Sequence, residues 1–257
     1  MHELLTIFSG SLVGFSLGLV GGGGSLLAVP LLVYVVGVES PHIAIGTSAV
    51  AVAASAALSL FTHARMDHVK WRCALVFAAA GVAGAWLGAA LGKRVESENL
   101  LMLFGGLMIV VGALMLHRRT GGEDPDVRLT EATAWRLLPA LLGIGFVVGL
   151  LSGFFGIGGG FLIVPGLVGA TQMPLLFAIG SSLVSVTAFG ATTATSYALS
   201  GLVDWLVAAF FILGGAAGSA GGLWLGKRLA VKKRALSLVF AAVVITTGLY
   251  VIAHGLL

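Results

Sequence analysis

The sequence predicts an all-α, polytopic integral membrane protein made of two inverted repeats, each with a glycine-broken helical hairpin plus three transmembrane helices. Three observations predict this: an apolar composition, a glycine-rich stretch that occurs twice, and a one-sided distribution of lysine and arginine. Of 257 residues, 58% are hydrophobic and 9% charged, and the mean hydropathy is +1.09. A soluble domain carries about 25% charged residues, so this chain belongs in a lipid bilayer. The net charge of +4 resides in short loops between apolar spans. Basic residues there act as topology signals, not as a nucleic-acid footprint. The single cysteine, Cys73, excludes an internal disulfide and a cysteine-rich metal site. The N-terminus, MHELL, lacks the basic region of a cleaved signal peptide.

The repeated stretch reads GFSLGLVGGGGSLLAVP over residues 14–30 and GLLSGFFGIGGGFLIVP over residues 149–165. With Pro30 aligned on Pro165, Gly14 pairs with Gly149, Gly18 with Gly153, Gly21 with Gly156, and Gly23 and Gly24 with Gly158 and Gly159. The first cluster has four glycines in a row, whereas Ile157 stands in the place of Gly22. Further on, AIGTS at 44–48 matches AIGSS at 178–182, Trp71 matches Trp205, and LGKR occurs at 91–94 and at 225–228. A register kept this far marks an internal duplication.

In chain order, residues 4–20 form an apolar arm that Gly21, Gly22, Gly23 and Gly24 break. Residues 25–37 form a second arm. As a helix it would be about 20 Å long, short against a ~30 Å hydrocarbon core. A hairpin of short helices that returns to its own side is therefore expected; one long broken helix is the rival. Pro41 suits a helix start and opens a span over 42–62. Further spans cover 73–91 and 100–116, which completes a first repeat at 1–117. Residues 118–136 are charged, contain the breakers Gly121, Gly122 and Pro125, and form a cytoplasmic linker. The second repeat, 137–257, follows the same plan: a broken pair at 137–155 and 160–172, a span from Pro174 to about residue 199, and spans at 205–225 and 235–253.

Charge decides the relation between the repeats. If each broken pair returns to its own side, one face receives 12 of the lysines and arginines and the other receives only Lys93 and Arg94. If each pair crosses once, the faces hold 7 and 7. Excess basic charge marks the cytoplasm. The hairpin arrangement follows, with inverted repeats, both termini outside, and hairpins entering from opposite faces with their breaks meeting near mid-depth.

Glycine breaks at corresponding positions of two membrane halves point to a transport site. Unwound backbone frees N–H groups, and the amides opening the second arms, around Ser25 and Gly160, carry partial positive charge that suits an anion. Thr47, Ser48, Ser181 and Ser182, beside Gly46 and Gly180, add hydroxyls. Hydrogen bonding to their own helix is an equal alternative for them. Ser48, Ser55, Ser59 and Thr62 share a helix face, as do Ser181, Ser185, Thr192 and Thr195, and such stripes are either a path or a packing seam. Most of the 39 glycines are expected at helix contacts, because membrane helices pack through small residues.

No Asp, Glu, Lys or Arg lies mid-span, which disfavours a cation carrier. Glu39, His42, His63 and Asp204 are expected as solvated span ends. The six histidines are scattered without metal-ligand spacing, so neither catalysis, metal nor cofactor is expected. The substrate-binding candidates are Gly21, Gly22, Gly23, Gly24, Ser25, Thr47, Ser48, Gly156, Gly158, Gly159, Gly160, Ser181 and Ser182.

The segments GLVGGGGSLLAVPLL, PHIAIGTSAVA, GLLSGFFGIGGGFLIVP and FAIGSSL resemble the sulfite exporter TauE/SafE (TSUP) family, and the likeness covers both halves. The resemblance implies a transporter of the bacterial inner membrane for sulfite, thiosulfate, sulfonates or related organic anions. The expected partners are thus a small anionic substrate and membrane lipid, without nucleic acid, and self-association stays open. An anion channel and a membrane-embedded enzyme or scaffold are the alternatives.

Overall fold

The computed structural model describes residues 2–20, 22–117, 131–156, 160–228 and 233–255. Among them there is no strand, and ten α-helices account for most of the chain. They are α1 (His2–Val20), α2 (Ala28–Pro30), α3 (Pro41–Arg65), α4 (Trp71–Gly92), α5 (Ser97–His117), α6 (Glu131–Phe155), α7 (Gly160–Thr171), α8 (Leu175–Ala198), α9 (Trp205–Arg228) and α10 (Lys233–Gly255). Among the described residues, five stretches are long and apolar enough to cross a membrane: Pro41–Arg65, Trp71–Gly92, Thr133–Phe155, Leu175–Ala198 and Trp205–Gly222. Large apolar side chains such as Phe8, Leu58, Phe61, Leu75 and Leu87 face outward. In water such a surface would be costly, but in lipid it is the expected one.

Both expected breaks are present. Helix α1 ends at Val20, and a 3₁₀ segment, Gly22–Leu27, follows. A single α-turn, Ala28–Pro30, then passes into a π-helical stretch, Leu31–Val36. Gly37 closes this arm in the left-handed conformation, φ 82°, which glycine adopts without the Cβ penalty. In the second half α6 ends at Phe155 and α7 starts at Gly160. The start of α1 (Glu3, Thr6) and the end of its return arm (Val36, Gly37) line one cleft, so the first hairpin re-emerges where it entered. Helix α6 begins at Glu131, inside the stretch expected as linker, while residues 118–130 lie outside the described residues.

Close glycine contacts give the packing directions. A Cβ on Gly10 would strike the Phe211 backbone, one on Gly14 that of Gly215, and one on Gly218 those of Ser11 and Phe15. Helices α1 and α9 therefore run parallel. Gly81 meets Gly145, Gly88 meets Leu150 and Gly92 meets Phe154, so α4 and α6 are also parallel. Helix α3 is antiparallel to α8, with Gly46 at Tyr197 and Gly190 at Ala49 and Ala53. Helix α5 is antiparallel to α10, with Gly105 at Ile252 and Gly112 at Ile245. Helices α4 and α8 run together, from Phe77 on Phe189 to Gly92 at Tyr197. Glycines four apart let the backbones touch, so dispersion and Cα–H contacts hold helices that lipid would not drive together.

The same register revises the depth of the breaks. Phe154 lies beside Gly92, the last residue of α4. Carrying the register of Gly218 on Phe15 forward brings the end of α1 beside the last turns of α9. Since α4 and α9 run oppositely, the two breaks lie toward opposite ends of the bundle, not together at mid-depth. The first arms, 19 and 25 residues long, touch their partner helices closely at residues 7–15 and 145–154.

Candidate functional site

The Gly-Thr-Ser and Gly-Ser-Ser motifs sit in the second turns of α3 and α8, and each residue does the same thing in both halves. At Gly46 the missing Cβ admits the Leu202 carbonyl, and at Gly180 it admits that of His68. Thr47 Oγ1 accepts the Asp204 N–H at 3.0 Å, and Ser181 Oγ accepts the Lys70 N–H at 2.9 Å. Ser48 Oγ donates to the Ile45 carbonyl at 2.9 Å, and Ser182 Oγ to that of Ile179 at 2.7 Å. The motif is thus a seat for the loop that joins the two middle helices of the opposite half. This use of the motif is invisible in sequence, because its partners lie 111 and 157 residues away. Thr47 and Ser181 accept one bond each in this way, which leaves their own protons to donate.

Ser48 also reaches the Gly156 carbonyl at 3.3 Å, so a first-half hydroxyl touches the second-half break. Gly156 has φ +66°, and a Cβ there would run into Ile45. Its left-handed conformation and the close approach of Ile45 both require glycine. At the first break, Gly22, Gly23, Gly24 and Ser25 form the 3₁₀ turn, and Ser25 is fully buried. That turn packs against α7 and α8. Gly160 begins α7. Gly21, Gly158 and Gly159 lie outside the described residues. The structure does not bring the four hydroxyls to one point. In the antiparallel α3–α8 pair, Gly46 faces Tyr197 while Gly180 faces His68. The two motifs therefore lie about 20 Å apart along the axis, from roughly 1.5 Å of rise per residue.

Buried polar groups occupy the ground between. The hydroxyls of Ser59, Ser185 and Thr193 are buried with no hydrogen-bond partner among the described residues, and Ser55 is 4% exposed. Orphaned donors cost free energy and need an explanation. The expected stripes differ in detail: Thr62 faces outward, and Thr192 and Thr195 donate to Ala188 and Ala191 of their own helix. On α8 the buried row is Ser182, Ser185, Thr193 and Ser196.

The span-end residues are more engaged than expected. Asp204 Oδ1 accepts the N–H groups of Leu206 and Val207 at 3.0 Å each, capping α9. His42 meets Ser97 Oγ at 3.0 Å and the Gly92 carbonyl at 3.3 Å. His63 is 8% exposed. At the end of the bundle where α1 begins, a cavity of about 470 Å³ is lined by Glu3, Glu39 and Asp204 with Thr6 and Ser40. Among the described residues no group of three or more His, Cys, Asp or Glu is placed to hold a metal.

The protein-family model for Sulfite exporter TauE/SafE matches residues 6–251. The chain belongs to the TauE/SafE family. It is a multi-pass membrane transporter. It is 50% identical to a probable membrane transporter protein of Xylella fastidiosa, over 97% of this chain and 94% of that one. It is 27% identical to the probable membrane transporter protein YunE of Bacillus subtilis, over 100% and 99%. With MJ0441 of Methanocaldococcus jannaschii, also a probable membrane transporter protein, it shares 26% over 79% and 72%. No solved structure matches this TauE/SafE chain.

One consequence of the loop seat is measurable. Ser181→Ala removes the hydroxyl to which the Lys70 N–H donates, and Thr47→Val the one to which the Asp204 N–H donates. Each should cost about 1 kcal/mol. Thermal melts in detergent should show similar losses for the two, and a silent Ser181→Ala would mean that water replaces the hydroxyl.

Proposed function

We propose that the protein is a secondary transporter, working as an exporter, of small sulfur-containing or organic anions such as sulfite, thiosulfate or sulfonates. It works in the bacterial inner membrane without catalysis or cofactor. The observation that carries this reading is the contact of Ser48 with the Gly156 break. It sets a buried hydroxyl beside unwound backbone, in spans without a mid-span charged side chain, where backbone amides freed by the break and neighbouring hydroxyls are the donors that suit an anion. Gly156, Gly158, Gly159 and Gly160 with Thr47 and Ser48 form one half-site. Gly21, Gly22, Gly23, Gly24 and Ser25 with Ser181 and Ser182 form the other. Ser59, Ser185 and Thr193 line the way between them.

Two inverted repeats, 1–117 and 137–257, joined by a cytoplasmic linker, account for the helix directions. Helix α1 runs with α9 and α6 with α4, so corresponding helices point oppositely. Charge supports export: Arg65, Lys70 and Arg72 gather at the end expected inside, and Glu3, Glu39 and Asp204 line the cleft expected outside. Anions would be collected at the first and repelled from re-entry at the second. The apolar outer surface is the lipid contact, and self-association is compatible with it.

In proteoliposomes, saturable counterflow of a labelled sulfur oxyanion is expected. Flux without counterflow would favour the channel reading. For orientation, single cysteines at Gly122 and His254 in a Cys73→Ser background should differ: in intact cells an impermeant maleimide should label only the position at His254. Labelling at Gly122 alone would reverse the topology.

A further inference from the structure

The loop at 66–70, between α3 and α4, is seated on α8 by two backbone contacts: the His68 carbonyl at Gly180 and the Lys70 N–H on Ser181. It also carries an imidazole pair. The rings of His63 and His68 are 5.9 Å apart, and His68 stands edge-on to Phe177 of α8 at 6.4 Å. His63 is buried, and the His68 Nδ1 is buried with no hydrogen-bond partner among the described residues. Lys70 Nζ lies 4.6 Å above the Phe177 ring.

The charged residues that flank the pair in sequence are mostly cationic. Helix α3 brings Arg65, with its guanidinium 4.1 Å over Phe61. The loop and the start of α4 bring Lys70, Arg72 and a single acid, Asp67. The facing turns of α8, residues 175–186, and the stretch 160–174 before them carry no titratable side chain. The matching positions of the other half are Tyr197, Leu202 and Asp204. The opposite loop, docked in the same way on Gly46 and Thr47, therefore has no imidazole.

We propose that His63 and His68 form a proton-operated latch at one face of the transporter: neutral, they keep the 66–70 loop seated on Gly180 and Ser181; protonated, they release it. Two protonated rings 5.9 Å apart would repel each other and Lys70, which shares the Phe177 ring with His68. That repulsion acts against the seated loop, so acid weakens the seat and alkali keeps it. The latch would let protons on one side only control access to the half-site at Ser181 and Ser182, which rests on the transporter reading for its purpose.

Amide hydrogen exchange of the lipid-embedded protein at pH 8 and pH 5, corrected for intrinsic rates, tests this without substrate. Protection of residues 66–71 should fall about tenfold or more at pH 5. Residues 201–205, where Asp204 is bound to Thr47, are the internal control and should stay within about twofold. In His63→Gln/His68→Gln the change should vanish, and His68→Gln alone should diminish it. Protection that ignores pH, an equal fall at 201–205, or a fall kept in the double variant would each overturn the latch. Failed anion counterflow would instead remove the transport reading and leave the exchange result standing.

Discussion

Gly149→Val should prevent α6 from seating on α4 and should be the most damaging substitution in a described helix. A Cβ at 149 would overlap the Gly81 carbonyl and Cα. These are backbone atoms that no rotamer change can move, and valine adds two methyls beyond the Cβ. Two neighbouring contacts of the same kind, Gly145 on Phe77 and Gly153 on Ala85, tie the helices together along their length, so the strain is not relieved by a local shift. A cost of about 3 kcal/mol, the upper end of ordinary overpacking, is expected. For a chain of this size that lowers the melting temperature by roughly 10 °C. Size-exclusion chromatography and thermal melts should show aggregated or markedly destabilised protein. Gly14→Val, against Gly215, should behave alike. Gly143→Ala meets nothing within 4 Å and should be neutral. A normal melt for Gly149→Val would mean that the α4–α6 contact is looser than the backbone approach implies.

Gly23→Val and Gly158→Val should act on transport and not on folding. Gly23 lies in the 3₁₀ turn at the first break, and Gly158 follows Gly156 at the second. If the anion is held by backbone amides there, a branched side chain covers them and blocks the close approach that glycine permits. Loss of even one charge-assisted hydrogen bond is worth about 1.5–3 kcal/mol. Each variant should therefore lose at least about tenfold in counterflow affinity or rate, and the pair together all measurable flux. Monodisperse elution should be retained, in contrast with Gly149→Val. Near-normal flux from the double variant would move the site elsewhere and return these glycines to helix packing.

The two sets of glycines look alike in sequence, and only their surroundings tell them apart. Gly14, Gly149 and Gly153 stand in the same repeated stretch as the breaks, yet each sits mid-helix against a neighbouring backbone. The spacing of four is the signal for packing, and the uninterrupted run is the signal for unwinding. The hydroxyl motifs were legible as important but not in their role. That Thr47 and Ser181 hold loop amides from the opposite half depends on which helices become neighbours.

The sequence by itself determined the membrane setting, the helical class, the duplication, the positions of both breaks and the family. Each rests on local composition or on a repeated string, and lipid leaves a backbone few choices other than helix. Only the tertiary structure decided how deep the breaks lie, why Thr47 and Ser181 cannot meet, and that His63 is buried beside His68. Those follow from the register in which one helix lies on another. Register is set by backbone contacts between glycines far apart in the chain, a quantity that no single segment encodes.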